Sequence, residues 1–258
     1  MTNDIDADAV RSNVRGIFGR SLSVLDATSS TMDDADAAAR RGAPHGHVVV
    51  ANEQSSGRGA HGREWESPPG DDLYFSIVAR PEIPPSAMPL VTLATGLGVR
   101  EAIAELLPKK TITVKWPNDI WIGRHKCAGI LVESKLLGER IDAVVIGVGL
   151  NLNRLAWPAE LRGIATSILQ ERGGAPLDRG EVLVRVLDRI EAQVERLARD
   201  GASALVPTLR PHLALVGQRV RWEDGEGIFE GIDERGAAQV RSNGGTRTLH
   251  AARFEPID

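Results

Sequence analysis

The chain has 258 residues, of which 42% are hydrophobic and 26% are charged, and its formal net charge at pH 7 is −4. This composition is typical of a globular protein with a full core and excludes large-scale disorder. The slightly negative charge excludes a global basic field for nucleic acid or an anionic membrane, so we expect neither as a partner. The single cysteine, Cys127, excludes an intrachain disulfide, and the acidic N-terminus is not typical of an export signal, which favours the cytoplasm.

Apolar periodicity and turn residues predict strands that alternate with helices, which is typical of a mixed sheet with helices packed on it. In chain order, the predicted elements are a short helix over 10–18, a strand at 24–25, a helix over 32–41, strands over 47–53 and 72–79, a helix over 86–107, strands over 111–114, 127–132 and 141–150, and a helix over 178–198. Pro207 and Pro211 predict a linker-like break. Short strands over 219–222, 227–232, 237–241 and 247–250 then predict a small β-barrel.

Two hydroxyl residues, Ser30 and Thr31, precede the helix predicted over 32–41. Thr31 and Asp34 have the spacing of a capping box, in which side chains satisfy free N–H groups at the helix start. A helix cap is the simpler interpretation. The same hydroxyls and N–H groups can instead bind the polar head of a ligand.

A loop rich in glycine and arginine follows the strand predicted over 47–53. It runs from Gln54 to Trp65 and contains Gly57-Arg58-Gly59-Ala60-His61-Gly62-Arg63. Arginine offers planar donors to phosphate or carboxylate, and glycine permits close approach of the backbone. The loop therefore either closes over an anionic ligand or is an ordinary surface loop. It matches neither the Walker loop nor the dinucleotide fingerprint.

The stretch over 111–133 predicts two strands around a turn at Pro117, a residue that cannot lie within a central ladder. Lys115 and Lys126 flank the turn, and Asn118 and Asp119 lie inside it. Charged groups at strand ends face either a cleft or solvent.

The strand predicted over 141–150 contains Gly147 and Gly149 and is followed by Asn151. Glycine within a strand permits either the approach of a ligand or tight packing against a helix. Both interpretations stay open at this position.

With these motifs in order, the chain resembles the biotin protein ligases, enzymes that attach biotin to a lysine of a carrier domain. The resemblance runs from about Val24 to the C-terminus. It rests on Ser30-Thr31, Gln54 with Gly57-Arg58-Gly59 and Trp65, Lys115-Trp116-Pro117-Asn118-Asp119, Lys126 with Ala128-Gly129-Ile130-Leu131, and Gly147-Val148-Gly149-Leu150-Asn151.

The resemblance implies an α/β (α+β) fold, a mixed β-sheet packed with helices. A class II synthetase-like catalytic domain is expected over 21–211, after a short N-terminal segment over 1–20, and an SH3-like β-barrel is expected over 212–258. The form implied lacks an N-terminal DNA-binding domain, so we expect a ligase that is not a repressor. We further expect a monomer or a weak homodimer.

The implied reaction has two steps. The biotin carboxylate attacks the α-phosphate of Mg-ATP, which gives biotinyl-5'-AMP and pyrophosphate. A lysine of the biotin carboxyl carrier domain of acetyl-CoA carboxylase or a related carboxylase then attacks the adenylate and releases AMP. The alternatives are a non-catalytic sensor of biotin or its adenylate, and a related ligase for lipoate or octanoate.

The resemblance also implies the roles of individual residues. The implied catalytic residues are Lys126, Arg58, Lys115 and Asp119, with Asp119 as a ligand of Mg²⁺. The implied biotin contacts are Ser30, Thr31, Gln54, Gly57, Arg58, Gly59, Lys126, Gly129 and Ile130. The implied nucleotide contacts are Arg63, Trp65, Lys115, Asn118 and Asn151.

The chain departs from the family pattern at two positions. The family loop commonly reads Gly-Arg-Gly-Arg-x-Gly-Arg, and Ala60 stands here in place of the second arginine. Because that arginine helps to retain the adenylate, we expect either faster leakage of the intermediate or compensation by His61 or Arg63. Met32 also replaces the asparagine that commonly follows Ser-Thr.

Overall fold

The computed structural model describes residues 4–137 and 140–257, and it contains a mixed sheet of seven strands. Its strands are β1 (Leu22–Thr28), β2 (His47–Gln54), β3 (Leu73–Ala79), β4 (Ile112–Lys115), β5 (Asp119–Ile122), β6 (His125–Leu137) and β7 (Arg140–Leu150). The order across the sheet is β1-β2-β3-β7-β6-β5-β4. β1 and β2 run parallel, and the other neighbouring strands run antiparallel. The predicted mixed sheet is therefore confirmed.

Helices cover both faces of this sheet. They are α1 (Ala7–Asn13), α2 (Thr31–Arg40), α3 (Met88–Leu106), α4 (Ile168–Arg172), α5 (Arg179–Asp200) and α6 (Ala202–Leu209). Val48 and Val50 of β2 face the main core, which contains the apolar residues of α3 and α5. Val49 faces a second apolar cluster beneath α2, because successive strand residues point to opposite faces. Burial on both faces explains the continuous apolar runs in β2 and β3.

The helix α3 is the central helix of the core. The segment Pro85–Leu106, which includes α3, is long and apolar enough to resemble a membrane span, and 61% of its most apolar window is buried inside the protein. Within α3, Gly98 allows close contact with α5, because a Cβ there would lie 2.7 Å from Ile190 Cα. The all-round apolar character of this helix therefore reflects packing between the sheet and α5.

A second sheet lies at the C-terminus and is antiparallel. Its strands are β8 (Arg219–Trp222), β9 (Gly225–Ile232), β10 (Ala238–Ser242), β11 (Gly245–Leu249) and β12 (Glu255–Pro256), in the order β11-β10-β9-β8-β12. Trp116, in the turn after β4, donates its Nε1–H to Gly236 O at 2.9 Å. The Trp116 ring also packs on Phe254 with 5.1 Å between centroids. These contacts fix the C-terminal sheet against the turn that follows Lys115.

Two predictions about helix starts were wrong. α1 begins at Ala7, earlier than predicted, because the Asp6 carboxylate accepts hydrogen bonds from the N–H groups of residues 8 and 9. Thr31 and Asp34 form no capping box. Thr31 is the first residue of α2, its hydroxyl bonds to Gln54, and Asp34 instead accepts a bond from Thr28 Oγ1 at 2.5 Å.

Two further differences concern element boundaries. β5 (Asp119–Ile122) was not predicted as a separate strand, although it pairs with both β4 and β6. Pro207 was predicted to mark a break, yet it lies inside α6. Leu205, Val206 and Leu209 are buried there, and their burial compensates for the hydrogen bond that proline cannot donate.

Candidate functional site

Two cavities meet on the sheet face that α2 covers. The smaller, of about 30 Å³, lies among the start of α2, the loop after β2, and strands β6 and β7. The larger, of about 750 Å³, lies among the same loop, the turn between β4 and β5, the segment after β7, and residues 252–256 of the C-terminal sheet. The residues that line both are Gly59, Ala60, Trp65, Asn118 and Lys126. All the predicted site residues except Ser30 and Gly57 therefore line one or both of these cavities.

The floor of the small cavity consists of glycines on adjacent strands. Gly129 of β6 pairs with Gly149 of β7, and the Trp65 indole lies directly over both. A Cβ at Gly129 would lie 2.7 Å from the Trp65 ring, and one at Gly149 would lie 2.3 Å from it. Any side chain at these positions would displace the indole. Glycine at both positions therefore allows the Trp65 ring to lie directly against the two strands.

The polar end of the small cavity is a chain of hydrogen bonds. Gln54 Oε1 accepts from Thr31 N at 2.9 Å and from Thr31 Oγ1 at 3.1 Å, and Gln54 Nε2 donates to Ser67 Oγ at 2.8 Å. The Thr31 hydroxyl also lies 2.9 Å from Ser76 Oγ. The network holds the end of β2, the start of α2 and the end of the loop in one arrangement.

Two buried polar groups near this network have no hydrogen-bond partner within the described residues. They are the Ser30 hydroxyl, on a residue that is 1% exposed, and the Trp65 indole N–H. Buried donors and acceptors in proteins are almost always paired, and Trp65 lines both cavities, so its unpaired N–H indicates a polar ligand there. Ser30 lines neither cavity and lies beside Thr31, which lines the small one. Ser30 is the N-cap of α2 but makes no side-chain cap bond.

The loop after β2 folds back on itself as a short hairpin. Gly59 N donates to Arg63 O at 2.8 Å, and Trp65 N donates to Gly57 O at 2.8 Å. A Cβ at Gly57 would lie 2.3 Å from Trp65 O, so this position requires glycine. Arg63 Nε donates to Ala60 O at 3.2 Å. The hairpin therefore places Trp65 where the two cavities meet and places Arg63 in the wall of the large cleft.

Arg58 ties this loop to the rest of the site. Its guanidinium forms ion pairs with Asp33 of α2, at 2.9 Å, and with Glu133 of β6. Arg58 lines the small cavity, but two carboxylates already compensate its charge. Its predicted role as a cationic contact stays a prediction, and the geometry adds the role of a latch that closes the loop.

Lys126, Asp119 and Lys115 form the charged centre of the junction. Lys126 Nζ lies 2.6 Å from Asp119 Oδ1 and 5.0 Å from the centroid of the Trp65 ring. Burial lowers the pKa of Lys115, the Asp119 carboxylate opposes this effect, and the neighbouring cations Lys126, Arg253 and Arg63 lower it further. Positive charge is thus concentrated where the two cavities meet.

The residues around Asp119 do not fit a metal ion held by the protein. The Asp119 carboxylate is already paired with Lys126, and the described residues contain no group of three or more His, Cys, Asp or Glu side chains that could hold a metal ion. Mg²⁺ prefers one or two carboxylates together with the phosphates of a substrate. A magnesium ion at this site would therefore enter with a nucleotide and not as a resident cofactor.

Three predicted residues have structural contacts that the motif did not indicate. The side-chain Nδ2 of Asn118 donates to Ile130 O at 2.9 Å, and the backbone oxygen of Asn118 accepts from Ile130 N at 2.9 Å. The Ile130 side chain lies 3.5 Å from the Cβ position of Gly96 in α3, so it faces the core and only its backbone lines the cavity. Asn151 donates to Thr166 O at 3.0 Å and thereby holds the chain beside Lys126.

The apolar wall of the small cavity comes from residues other than Ile130. Leu131, one position further along β6, and Met32 of α2 line the small cavity. The alternation of strand residues could have indicated Leu131, since Gly129 and Leu131 share a face. Met32 lies over Gly147, where a Cβ would come within 2.4 Å of its sulfur.

Sequence analysis also missed a buried ion-pair network beside the large cleft. Arg154, whose side chain is 5% exposed, pairs with Asp72 at 2.7 Å and with Glu66 at 2.9 Å, and its Nη2 lies 3.2 Å from the Tyr74 hydroxyl oxygen. Burial raises the pKa of Asp72, and the Arg154 guanidinium opposes that rise. The network joins the end of the loop to the segment after β7.

Residues 24–151 match the model of the Biotin/lipoate A/B protein ligase family, and residues 215–255 match that of the biotin protein ligase C-terminal domain. The Bifunctional ligase/repressor BirA of Bacillus subtilis (strain 168) is 33% identical over 245 residues, which cover 93% of this chain and 75% of that protein. The chain belongs to the biotin protein ligase family.

Other members of this family are similar over most of the chain. The Biotin--[acetyl-CoA-carboxylase] ligase of Mycobacterium tuberculosis (strain ATCC 25618 / H37Rv) is 34% identical over 241 residues, which cover 90% of this chain and 87% of that protein. The biotin protein ligase of Aquifex aeolicus, solved in complex with biotin and ATP, superimposes with a TM-score of 0.78 at 27% identity. That match covers 92% of this chain and 99% of the Aquifex chain. All the predicted site residues lie within 24–151, the range matched by the family model.

Proposed function

We propose that this member of the biotin protein ligase family activates biotin with Mg-ATP and transfers it to a lysine of a biotin carboxyl carrier domain. The observation that carries the proposal is the position of Lys126, which lines both cavities at their junction. A carboxylic acid in the small cavity and a nucleotide in the large cleft would meet at this ammonium group. The complex of the Aquifex relative with biotin and ATP supports the same pair of ligands.

In the first step, a biotin carboxylate oxygen attacks the α-phosphorus of ATP. A new O–P bond forms, the bond to the β-phosphate oxygen breaks, and pyrophosphate leaves. Both reactants are anions, so the chain must supply fixed positive charge where they approach. Lys126 and Lys115 supply it, and Asp119 orients Lys126 until the substrates take over that contact.

In the second step, the neutral amine of the carrier lysine attacks the carbonyl carbon of biotinyl-5'-AMP. The C–O bond to the phosphate breaks, AMP leaves, and the amine loses a proton as the amide forms. The mixed anhydride is prone to hydrolysis, so water must be kept from it between the steps. Trp65 lies at the junction and can cover the anhydride there.

The small cavity must enlarge before biotin can enter. A volume of about 30 Å³ is the space of a single water molecule, whereas the ring system of biotin is much larger. The Trp65 indole and the loop that carries it fill the remaining space over Gly129 and Gly149. The latch pairs of Arg58 are partly exposed, and such pairs are weak. Biotin binding therefore displaces the loop at small energetic cost.

The polar end of the small cavity favours biotin over lipoate or octanoate. The ureido group of biotin presents N–H donors and a carbonyl acceptor, which match the unpaired Ser30 hydroxyl and the Thr31–Gln54 pair. The tails of lipoate and octanoate would leave those groups without partners. A site built around hydrogen bonds discriminates strongly against a ligand that cannot form them. The intact cluster of Lys115, Asp119 and Lys126 likewise favours an enzyme over a sensor.

The proposal is tested by transfer to a purified carrier domain. The chain is incubated with biotin, Mg-ATP and a biotin carboxyl carrier domain, and the intact mass of the carrier is measured. We expect one biotin on the acceptor lysine and none on a carrier in which that lysine is arginine. Absence of transfer, with the chain folded and biotin bound, would contradict the proposal and favour the sensor. Cytoplasmic location, independence from nucleic acid and a monomer or weak homodimer stay predictions.

A further inference from the structure

The loop that carries Trp65 is bonded to the rest of the protein at both of its ends. On the entry side, the N–H groups of residues 55 and 56 donate to the carbonyl groups of residues 28 and 29, at 3.0 Å and 2.9 Å. On the exit side, the Tyr74 hydroxyl of β3 donates to Pro68 O at 3.0 Å. These bonds hold the two ends of the loop at the edge of the sheet.

Between these ends, residues 57–65 form the hairpin described above, whose backbone hydrogen bonds lie within the segment. The ion pairs of Arg58 with Asp33 and Glu133 add contacts to α2 and β6, and the three side chains are 34–59% exposed. Ion pairs that are so exposed contribute little. The segment can therefore leave the glycine floor when biotin enters, and it must return once the adenylate has formed.

Glu66 directly follows Trp65 and is tied to Arg154. Arg154 Nη1 donates to Glu66 Oε2 at 2.9 Å, and Arg154 Nη2 donates to Glu66 O at 3.4 Å. One guanidinium thus holds both the side chain and the backbone of Glu66. This tie fixes the point from which the chain turns back to Trp65.

Arg154 is an immobile partner for Glu66. Its side chain is 5% exposed, and its Nε donates at 2.8 Å to Asp72, whose side chain is fully buried. Asp72 also accepts from Leu152 N at 2.8 Å, so the guanidinium is held in place independently of Glu66. An ion pair costs less side-chain entropy when one partner is already fixed, so the Glu66 tie is stronger than the exposed pairs of Arg58.

We propose that Glu66 is a positioning residue, which through its tie to Arg154 returns Trp65 to the junction of the two cavities and so keeps biotinyl-5'-AMP bound between the two steps. The pairs of Arg58 open when biotin enters, whereas the Glu66 tie stays closed and serves as the hinge. Glu66 acts through Trp65 and takes no part in making or breaking bonds. The inference rests on the proposed function, because it presumes an adenylate that must be retained.

Four variants of the full-length chain test this role. Glu66→Gln removes the charge and keeps the length of the side chain. Glu64→Gln is the matched control, because Glu64 is exposed, lies on the other side of Trp65 and also lines the large cleft. Trp65→Ala and the double variant Trp65→Ala/Glu66→Gln test whether Glu66 acts through the indole. For each folded variant, the association and dissociation rates of isolated biotinyl-5'-AMP are measured, the latter by a chase with unlabelled adenylate.

For Glu66→Gln we expect the dissociation rate of biotinyl-5'-AMP to rise about fivefold to tenfold, the usual effect of losing a charge-assisted hydrogen bond. The association rate should not fall, because the adenylate enters while the hairpin is displaced. Glu64→Gln should match the wild type. In the Trp65→Ala background, Glu66→Gln should cause no further rise, since the residue through which it acts is already absent.

An unchanged dissociation rate in Glu66→Gln would overturn the inference. An equal rise in Glu64→Gln would also overturn it, because the effect would then follow the charge of the cleft. The same proportional rise in the Trp65→Ala background would show that Glu66 does not act through Trp65, which contradicts the inference as well. Failure of the proposed function is a different outcome, in which the wild-type chain neither binds biotinyl-5'-AMP nor transfers biotin from it to the carrier domain.

Discussion

Lys126 Nζ lies 2.6 Å from Asp119 Oδ1, although the two residues occupy different strands, β6 and β5. In the ladder Asp119 pairs with Gly129 and Lys126 pairs with Trp121, with a register shift between Ile120 and Trp121. The pair places an ammonium group between the two cavities and holds it there before any ligand arrives. When a carboxylate and a phosphate enter, both compete with Asp119 for this group.

The Asp119 carboxylate should set the pH range of adenylation through Lys115. Burial lowers the pKa of Lys115 and Asp119 opposes this effect, so Asp119→Asn should lower that pKa further. Adenylation that needs protonated Lys115 is lost as pH rises through this pKa. The alkaline limb of the pyrophosphate-exchange profile should therefore move to lower pH in Asp119→Asn. Asp224→Asn, at an exposed turn of the C-terminal sheet, is the control and should leave the limb unmoved.

The contact between Trp65 and the glycine floor predicts a coupled pair of substitutions. Gly149→Ala places a methyl group 2.3 Å from the Trp65 ring, so the indole must shift and the unliganded protein should be less stable. Overpacking of this kind costs about 1–3 kcal/mol. In a Trp65→Ala background the same substitution should cost much less. Urea titrations of the wild type and the three variants measure the coupling in the free energy of unfolding, and purely additive losses would show that the two residues do not interact.

The residue at position 60 should affect how long biotinyl-5'-AMP stays bound to the protein. It lines both cavities, so an arginine there could reach a phosphate at the junction. We expect Ala60→Arg to retain biotinyl-5'-AMP longer than the native chain, as measured by the adenylate that remains bound after rapid gel filtration. Ala60→Met, which adds length without charge, is the control. Equal retention in Ala60→Arg and the native chain would contradict the expectation.

The buried network around Arg154 predicts a large effect on stability. Removal of one partner leaves the Asp72 carboxylate, which is fully buried, without its cation. Arg154→Met should therefore lower the free energy of unfolding by about 3–5 kcal/mol in a urea titration. Arg162→Met, at an exposed position nearby, should change it by less than about 1 kcal/mol. A loss in Arg154→Met as small as that of the control would mean that the ion pair contributes little.

Much of the fold could be predicted from sequence because each element carries its own local pattern. The helix over Arg179–Asp200 has both its apolar spacing and its Asp178 cap in the sequence, and the cap bond to Glu181 N measures 2.8 Å. Thr31 is a residue at which the local sequence pattern indicates the wrong contact. Its spacing to Asp34 indicates a cap, but its hydroxyl bonds to Gln54, 23 residues away, a contact that exists only after the sheet forms.

The same difference between local and long-range contacts decides which site residues could be predicted. Lys115, Asp119 and Lys126 lie within one short stretch, so a contiguous motif was enough to group them. Arg154 pairs with Asp72 across 82 residues and with Glu66 across 88 residues. No local pattern contains these contacts. The loop arginine Arg58 was found by its motif, but its ion pairs with Asp33 and Glu133 depend on how α2 and β6 come together.

The most direct test of this account is biotin-dependent exchange of labelled pyrophosphate into ATP with magnesium. Lipoate and octanoate are run beside biotin, and Lys126→Ala is compared with Lys109→Ala, an exposed lysine outside both cavities. We expect exchange with biotin alone, a loss of about 100-fold or more in Lys126→Ala, and no loss in Lys109→Ala. Exchange that persists in Lys126→Ala, or exchange driven by lipoate or octanoate instead of biotin, would contradict it.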